Sequence, residues 1–171
     1  MKLSVVVGNP RPDSRTLKVA TQLARRLAEE FGQEEFHVLD LATLGPALLD
    51  AQDERVQSEV VIVQSSTIVI FASPTYKASF TGLLKLLLDQ IPNGTLGGVV
   101  AVPVMTGGAA THALAVEVHL RPVLVELGAT VPTRGLYVLE SQFGALDEVM
   151  DTWYLQAERT LRPLVNRESS A

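Results

Sequence analysis

The chain has 171 residues, 47% of them hydrophobic and 19% charged, which suits one domain with a substantial core and is too apolar for a disordered segment. Its 14 basic and 19 acidic side chains leave a net charge of −5, which argues against a nucleic-acid partner, since a dedicated binder needs a basic face. Cysteine is absent, so disulfides, a thiol nucleophile and thiolate metal sites are excluded.

In chain order, Met1-Lys2 leads directly into Leu3 to Val7, where Val5, Val6 and Val7 leave no polar side; this reads as a strand buried on both faces. The start lacks the apolar stretch and cleavage site of a signal peptide, and no apolar run is long enough to span a bilayer. A cytoplasmic location without membrane contact is therefore expected. From Ser14 to about Phe31, Leu17, Ala20, Leu23, Ala24, Leu27 and Ala28 fall on one helical stripe. Phe36 to Leu41 is a second strand, Asp53 to Gln64 a helix, and Thr67 to Ala72 a third strand. Phe80, Leu83, Leu84, Leu87, Leu88 and Ile91 repeat at helical spacing and stop at Pro92-Asn93-Gly94. Val99 to Val104 is a fourth strand, Thr111 to Leu127 a helix, Gly135 to Leu139 a fifth strand and Asp147 to Leu164 a closing helix. The polar residues Asn166 to Ala171 form a tail expected to be flexible.

Continuous apolar strands alternating with helices predict one α/β domain over residues 1–171, a three-layer α/β/α sandwich on a parallel sheet. Five strands in this length suit the order 2-1-3-4-5. Pro103 sits badly in a central strand and predicts a bulge near that strand's end. Pro122 cannot donate to the carbonyl of Val118, so the helix around it should kink or widen.

Ligands of such sheets bind beyond the carboxyl ends of the strands, where three unusual loops fall. Gly8-Asn9-Pro10-Arg11-Pro12-Asp13-Ser14-Arg15-Thr16 has one glycine, two hydroxyls at the start of the next helix and two arginines. Unpaired N–H groups and the helix dipole there attract an anion, and Arg11 and Arg15 add forked donors; equally, Ser14 can be a plain helix cap. Neither the G-x-G-x-x-G fingerprint nor the Gly-Lys-Ser/Thr of a P-loop is present, which disfavours a dinucleotide or nucleotide triphosphate on this loop. Ser73-Pro74-Thr75-Tyr76-Lys77-Ala78-Ser79 can offer amides and an aromatic edge to a flat heterocycle. Thr106-Gly107-Gly108-Ala109-Ala110 lets a backbone approach a ligand closely.

Together, Gly8-Asn9-Pro10-Arg11 with Ser14-Arg15-Thr16, Ser73-Pro74-Thr75-Tyr76-Lys77, Thr81-Gly82-Leu83-Leu84-Lys85 and Thr106-Gly107-Gly108 resemble the NAD(P)H-dependent FMN reductase family. The likeness runs from Met1 to about Gln142 and is nearest to the small reductases that serve two-component alkanesulfonate monooxygenases. It implies a flavodoxin-like fold, FMN as cofactor, NADPH or NADH as co-substrate, and a flavin-dependent monooxygenase as partner. It also implies that Arg11, Ser14, Arg15 and Thr16 hold the FMN phosphate, with Asn9 standing where these reductases often carry serine. Pro74, Thr75, Tyr76 and Lys77 would border the isoalloxazine edge and ribityl chain, and Thr106, Gly107 and Gly108 the pyrimidine end.

Hydride transfer between two cofactors requires no side-chain acid or base, so no catalytic residue is nominated. Three dispersed histidines, His37, His112 and His119, make no metal site. The helix from Thr111 to Leu127 is apolar almost all round, which predicts a homodimer or homotetramer; in some of the resembling reductases it carries a π-bulge at a subunit interface. Two alternatives stay open: an FMN-retaining reductase of quinones, azo dyes or metal oxyanions, and a flavodoxin-like electron carrier. The few aromatics, 5%, weigh against a carrier that clamps its ring.

Overall fold

The structure is a computed structural model that describes residues 1–166; the rest of the expected tail lies outside the described residues. The apolar runs become β1 (Leu3–Val7), β2 (His37–Asp40), β3 (Ile68–Pro74), β4 (Val100–Gly107) and β5 (Leu136–Leu139). Every pairing is parallel, and the order across the sheet is β2-β1-β3-β4-β5, as the alternation of elements predicts.

Strand residues alternate between two cores, which is why these strands read as continuously apolar. Val5, Val7, Ile68, Ile70, Val102 and Val104 pack under α1 (Arg15–Glu30) and the closing helix, α5 (Leu146–Asn166). Val6, Val69, Phe71, Ala101 and Met105 face the opposite layer, built from α2 (Glu54–Gln64), α3 (Gly82–Leu88) and α4 (Arg121–Glu126). Each of the valines, isoleucines, phenylalanine and methionine among these, fully buried, contributes about 1.5–3 kcal/mol relative to exposure. Trp153 and Tyr154 of α5 belong to the first core, and Trp153 Nε1 donates to the Arg134 carbonyl (2.9 Å).

Two prolines resolve differently. Pro103 stays in unbroken register opposite Phe71, so the expected bulge does not form. The Ala101 N–H points away from β3, to the Thr130 carbonyl (2.8 Å), so residue 103 faces that side too. There β5 begins to pair only at Val104 with Leu136, and the missing donor has no ladder partner to lose.

Pro122, in contrast, reshapes its helix. The predicted helix from Thr111 to Leu127 becomes a short turn (Ala110–His112), a π-helical stretch (Val116–Leu120) and α4. The Arg121 N–H donates five residues back to the Val116 carbonyl, and the widened turn relieves the clash that proline makes with the carbonyl four residues before it. Glu117 and Arg121 fix this turn to the chain entering β5. Glu117 Oε1 accepts the Gly135 N–H (2.7 Å), Oε2 pairs with Arg121 Nε, and Arg121 also donates to the carbonyls of Val131 (2.7 Å) and Thr133.

Candidate active site

Since β1, β3 and β4 are parallel neighbours, their three exit loops stand side by side at one edge of the sheet. Side chains tie them together. Asn9, only 8% exposed, accepts the Arg11 N–H on Oδ1 (3.0 Å), an Asx turn that sets the course of the first loop. Its Nδ2 donates to the hydroxyl of Thr16 (3.1 Å), which is buried and shares a further hydrogen bond with Thr106 Oγ1 (3.0 Å). The Thr75 N–H donates to the Thr106 carbonyl (2.7 Å), joining the second loop to the third. Thr81 caps α3 by accepting the Leu84 N–H (3.1 Å), donates to the Gly8 carbonyl, and gives its own N–H to Ser73 Oγ (3.0 Å). The Thr-Gly-Leu-Leu-Lys segment is thus the clasp between the first two loops. Buried polar groups satisfied across loops give a pre-organised edge.

Eleven of the twelve residues predicted to bind cofactor line one cavity of about 340 Å³: Asn9, Arg11, Ser14, Arg15, Thr16, Pro74, Thr75, Tyr76, Thr106, Gly107 and Gly108. Lys77 is not among them. It stands at the tip of a two-residue turn in which Tyr76 and Ser79 exchange backbone hydrogen bonds (2.8 and 3.1 Å) and Lys77 and Ala78 both lie in the left-handed region (φ 50° and 65°). Glu140 and Phe143, which the sequence reading missed, line the cavity from the turn after β5. Their signal was topological, since β5 runs parallel beside β4 and must open on the same edge. Arg15 reaches across to them. Its guanidinium donates to both Glu140 carboxylate oxygens (3.0 and 3.2 Å) and lies over the Phe143 ring, 5.3 Å from the centroid.

The residues present fit a phosphorylated flat ring on three counts. Ser14 does cap α1, with Oγ accepting the Leu17 N–H (3.1 Å), but among the described residues the N–H groups of Ser14, Arg15 and Thr16 have no protein acceptor. All three residues line the cavity beside the exposed Arg11, so the positive end of the dipole of a 16-residue helix lies at its wall. Thr75 Oγ1 is buried without a partner among the described residues, a polar atom left over by their bonding. An added Cβ at Gly108 would meet nothing within 4 Å, so packing does not require glycine there and the bare backbone widens the cavity; at Gly107 it would meet Tyr137 Oη at 2.0 Å.

A larger groove of about 800 Å³ lies between the π-helical turn, β5 and α5, and none of the twelve residues lines it. Among the described residues no cluster of three His, Asp or Glu could hold a metal ion, and no helix is long and apolar enough to cross a membrane.

The chain is similar to an NADH-dependent FMN reductase, SfnF, of Pseudomonas putida, at 30% identity over 89% of this chain and 90% of that protein. It is 33% identical to an NADPH-dependent FMN reductase of Escherichia coli K12 over 83% of this chain and 75% of the relative. An apo crystal structure of the NADH:FMN oxidoreductase EMOB superposes with a TM-score of 0.80 at 30% identity, over 90% of this chain and 88% of that one. A Streptococcus pneumoniae flavodoxin, 18% identical with a TM-score of 0.61 over 91% of this chain and 99% of its own, shares the fold. The family model of NADPH-dependent FMN reductases matches residues 1–144, and the chain belongs to that family.

Proposed function

We propose that the protein is an NAD(P)H:FMN oxidoreductase whose flavin lies in the cavity at the ends of β1, β3 and β4. The observation that carries this is the set of three N–H groups at the start of α1 that have no acceptor among the described residues, on residues that line one cavity with Gly107 and Gly108. FMN supplies the hydride acceptor and reduced nicotinamide the donor, so the chain's task is positioning. The Ser14, Arg15 and Thr16 amides and the Arg11 guanidinium hold the phosphate. Pro74, Thr75 and Tyr76, with Lys77 at the turn tip, border the ring edge and ribityl chain. Thr106, Gly107 and Gly108 meet the pyrimidine end, where fixed backbone donors offset charge on the reduced ring. Asn9 and Thr16 serve through their side chains by holding the loops in register.

The reduced flavin is released to a separate flavin-dependent monooxygenase in the cytoplasm. An open cavity whose Tyr76 is 46% exposed suits a ring that enters and leaves. Leu114, Val118 and Val125, each more than half exposed, make an apolar ridge along the π-helical turn and α4, and a second copy of the chain covers it in a homodimer or homotetramer.

The test follows NADPH and NADH oxidation by purified protein with free FMN, with a quinone, and with neither. Turnover dependent on added FMN, and weakened in Arg11→Gln, is the expected result. Quinone turnover without added flavin would favour an FMN-retaining reductase, and tight FMN binding without pyridine-nucleotide oxidation would favour an electron carrier.

A further inference from the structure

We propose that Glu140 sets the affinity of the phosphate cup by occupying Arg15. The inference rests on the FMN-binding reading above and concerns the strength of that site. Arg15 is the first residue of α1; it lines the cavity where the phosphate is assigned, and its N–H has no acceptor among the described residues. Its guanidinium is held by two other residues that line the same cavity. It spans the rim to a residue 125 positions away in the chain, two N–H groups meeting two carboxylate oxygens at 3.0 and 3.2 Å, over the Phe143 ring. A forked cation on a forked anion is the strongest geometry this pair can adopt, and the aromatic face below fixes the plane of the fork.

Two consequences follow for a phosphate at the mouth of α1. The donors turned to Glu140 are spent, and the rim charges of Arg11 and Arg15 are matched by those of Asp13 and Glu140. The cup therefore meets a dianion with its amides and with Arg11, whose side chain has no partner among the described residues. Arg15 and Glu140 are also well solvated, with side chains 63% and 49% exposed, so exchanging partners costs little. Phosphate and Glu140 thus compete for one guanidinium, which weakens binding and suits a flavin that must depart after reduction. Among the described residues, the Glu140 side chain makes no hydrogen bond other than those to Arg15. Its removal leaves no buried group unpaired.

The experiment measures dissociation constants for FMN and for riboflavin, which lacks the phosphate, by quenching of flavin fluorescence at low and moderate ionic strength. The proteins are the wild type, Glu140→Gln, Arg15→Gln and the double variant, each checked by circular dichroism. The expected result is a gain in FMN affinity of roughly two- to fivefold in Glu140→Gln. Riboflavin affinity stays unchanged, the gain shrinks as salt rises, and it disappears when Glu140→Gln is made on the Arg15→Gln background. A loss of FMN affinity in Glu140→Gln would overturn the proposal, showing that the carboxylate aims Arg15 at the phosphate. So would an unchanged affinity, or a gain that survives in full without Arg15. A wild type that does not prefer FMN over riboflavin would overturn the phosphate cup itself and this inference with it.

Discussion

Replacing Thr16 by valine separates two roles that the same residue could play. Thr16 is 1% exposed, and its hydroxyl joins Asn9 Nδ2 (3.1 Å) to Thr106 Oγ1 (3.0 Å), linking the first loop, α1 and β4. Valine has the same shape but leaves an amide donor and a hydroxyl, 8% and 5% exposed by residue, without their partner. Each buried unsatisfied group costs about 1–3 kcal/mol, and the extra methyl returns about 1 kcal/mol, for a net loss of about 3 kcal/mol. A chain of this length then loses roughly 6–12 °C in Tm. Urea unfolding followed by Trp153 fluorescence gives the free energy, with Thr16→Ser as control, since it keeps the hydroxyl and loses about 1 kcal/mol of methyl burial. Thr16→Val should be the less stable of the two and bind FMN more weakly. Full stability in Thr16→Val with FMN affinity lost would refute the reasoning and make the hydroxyl a direct phosphate ligand.

The two loop glycines should part company. Gly108→Ala has open space for its methyl and should unfold within about 0.5 kcal/mol of wild type while weakening FMN binding, whereas Gly107→Ala must displace the Tyr137 hydroxyl and break its hydrogen bond to the Ala109 carbonyl, costing about 1–2 kcal/mol. Equal stability of the two would contradict the packing described. Burial pushes the Glu117 carboxyl up, but the Arg121 guanidinium and the Gly135 amide outweigh it and hold it below the usual carboxylate range. Its contribution is therefore present above the ordinary glutamate pKa and lost as pH falls through the depressed one, so Glu117→Gln should flatten the acid side of the stability curve. Burial, with Glu30 beside it, pushes the Tyr154 phenol up to about 12. Stability should accordingly fall as pH rises from about 10 toward that value, and ultraviolet titration should find a tyrosine that ionises near it and is lost in Tyr154→Phe; a late step that survives in Tyr154→Phe, or the absence of one, would refute this.

The fold was legible because the sheet is buried on both faces and leaves an unmistakable record in runs such as Ile68 to Ala72. Pairing order followed from parallel strands and short crossovers. The three loops were legible for the same reason, since strand ends fix where ligands gather. Individual side chains were not. Asn9 and Thr16 carry the polar groups expected at a phosphate, yet these close on each other and on Thr106, a partner 90 residues beyond Thr16 that no local pattern announces. Arg15 reads as a free cation until Glu140 arrives from across the sheet. Pro122 foretold a disturbed helix but not its form, and Pro103 signalled a bulge where the sheet instead offered a gap on its β5 side. Both outcomes depend on where neighbouring backbone stands, which the sequence encodes only through the whole fold.

The central claim is tested most directly by a crystal structure of the protein with FMN. The account predicts the phosphate within hydrogen-bonding distance of the Ser14, Arg15 and Thr16 N–H groups, with the ring running toward Gly107 and Gly108. FMN seated instead in the groove between β5 and α5, with the mouth of α1 untouched, would contradict it.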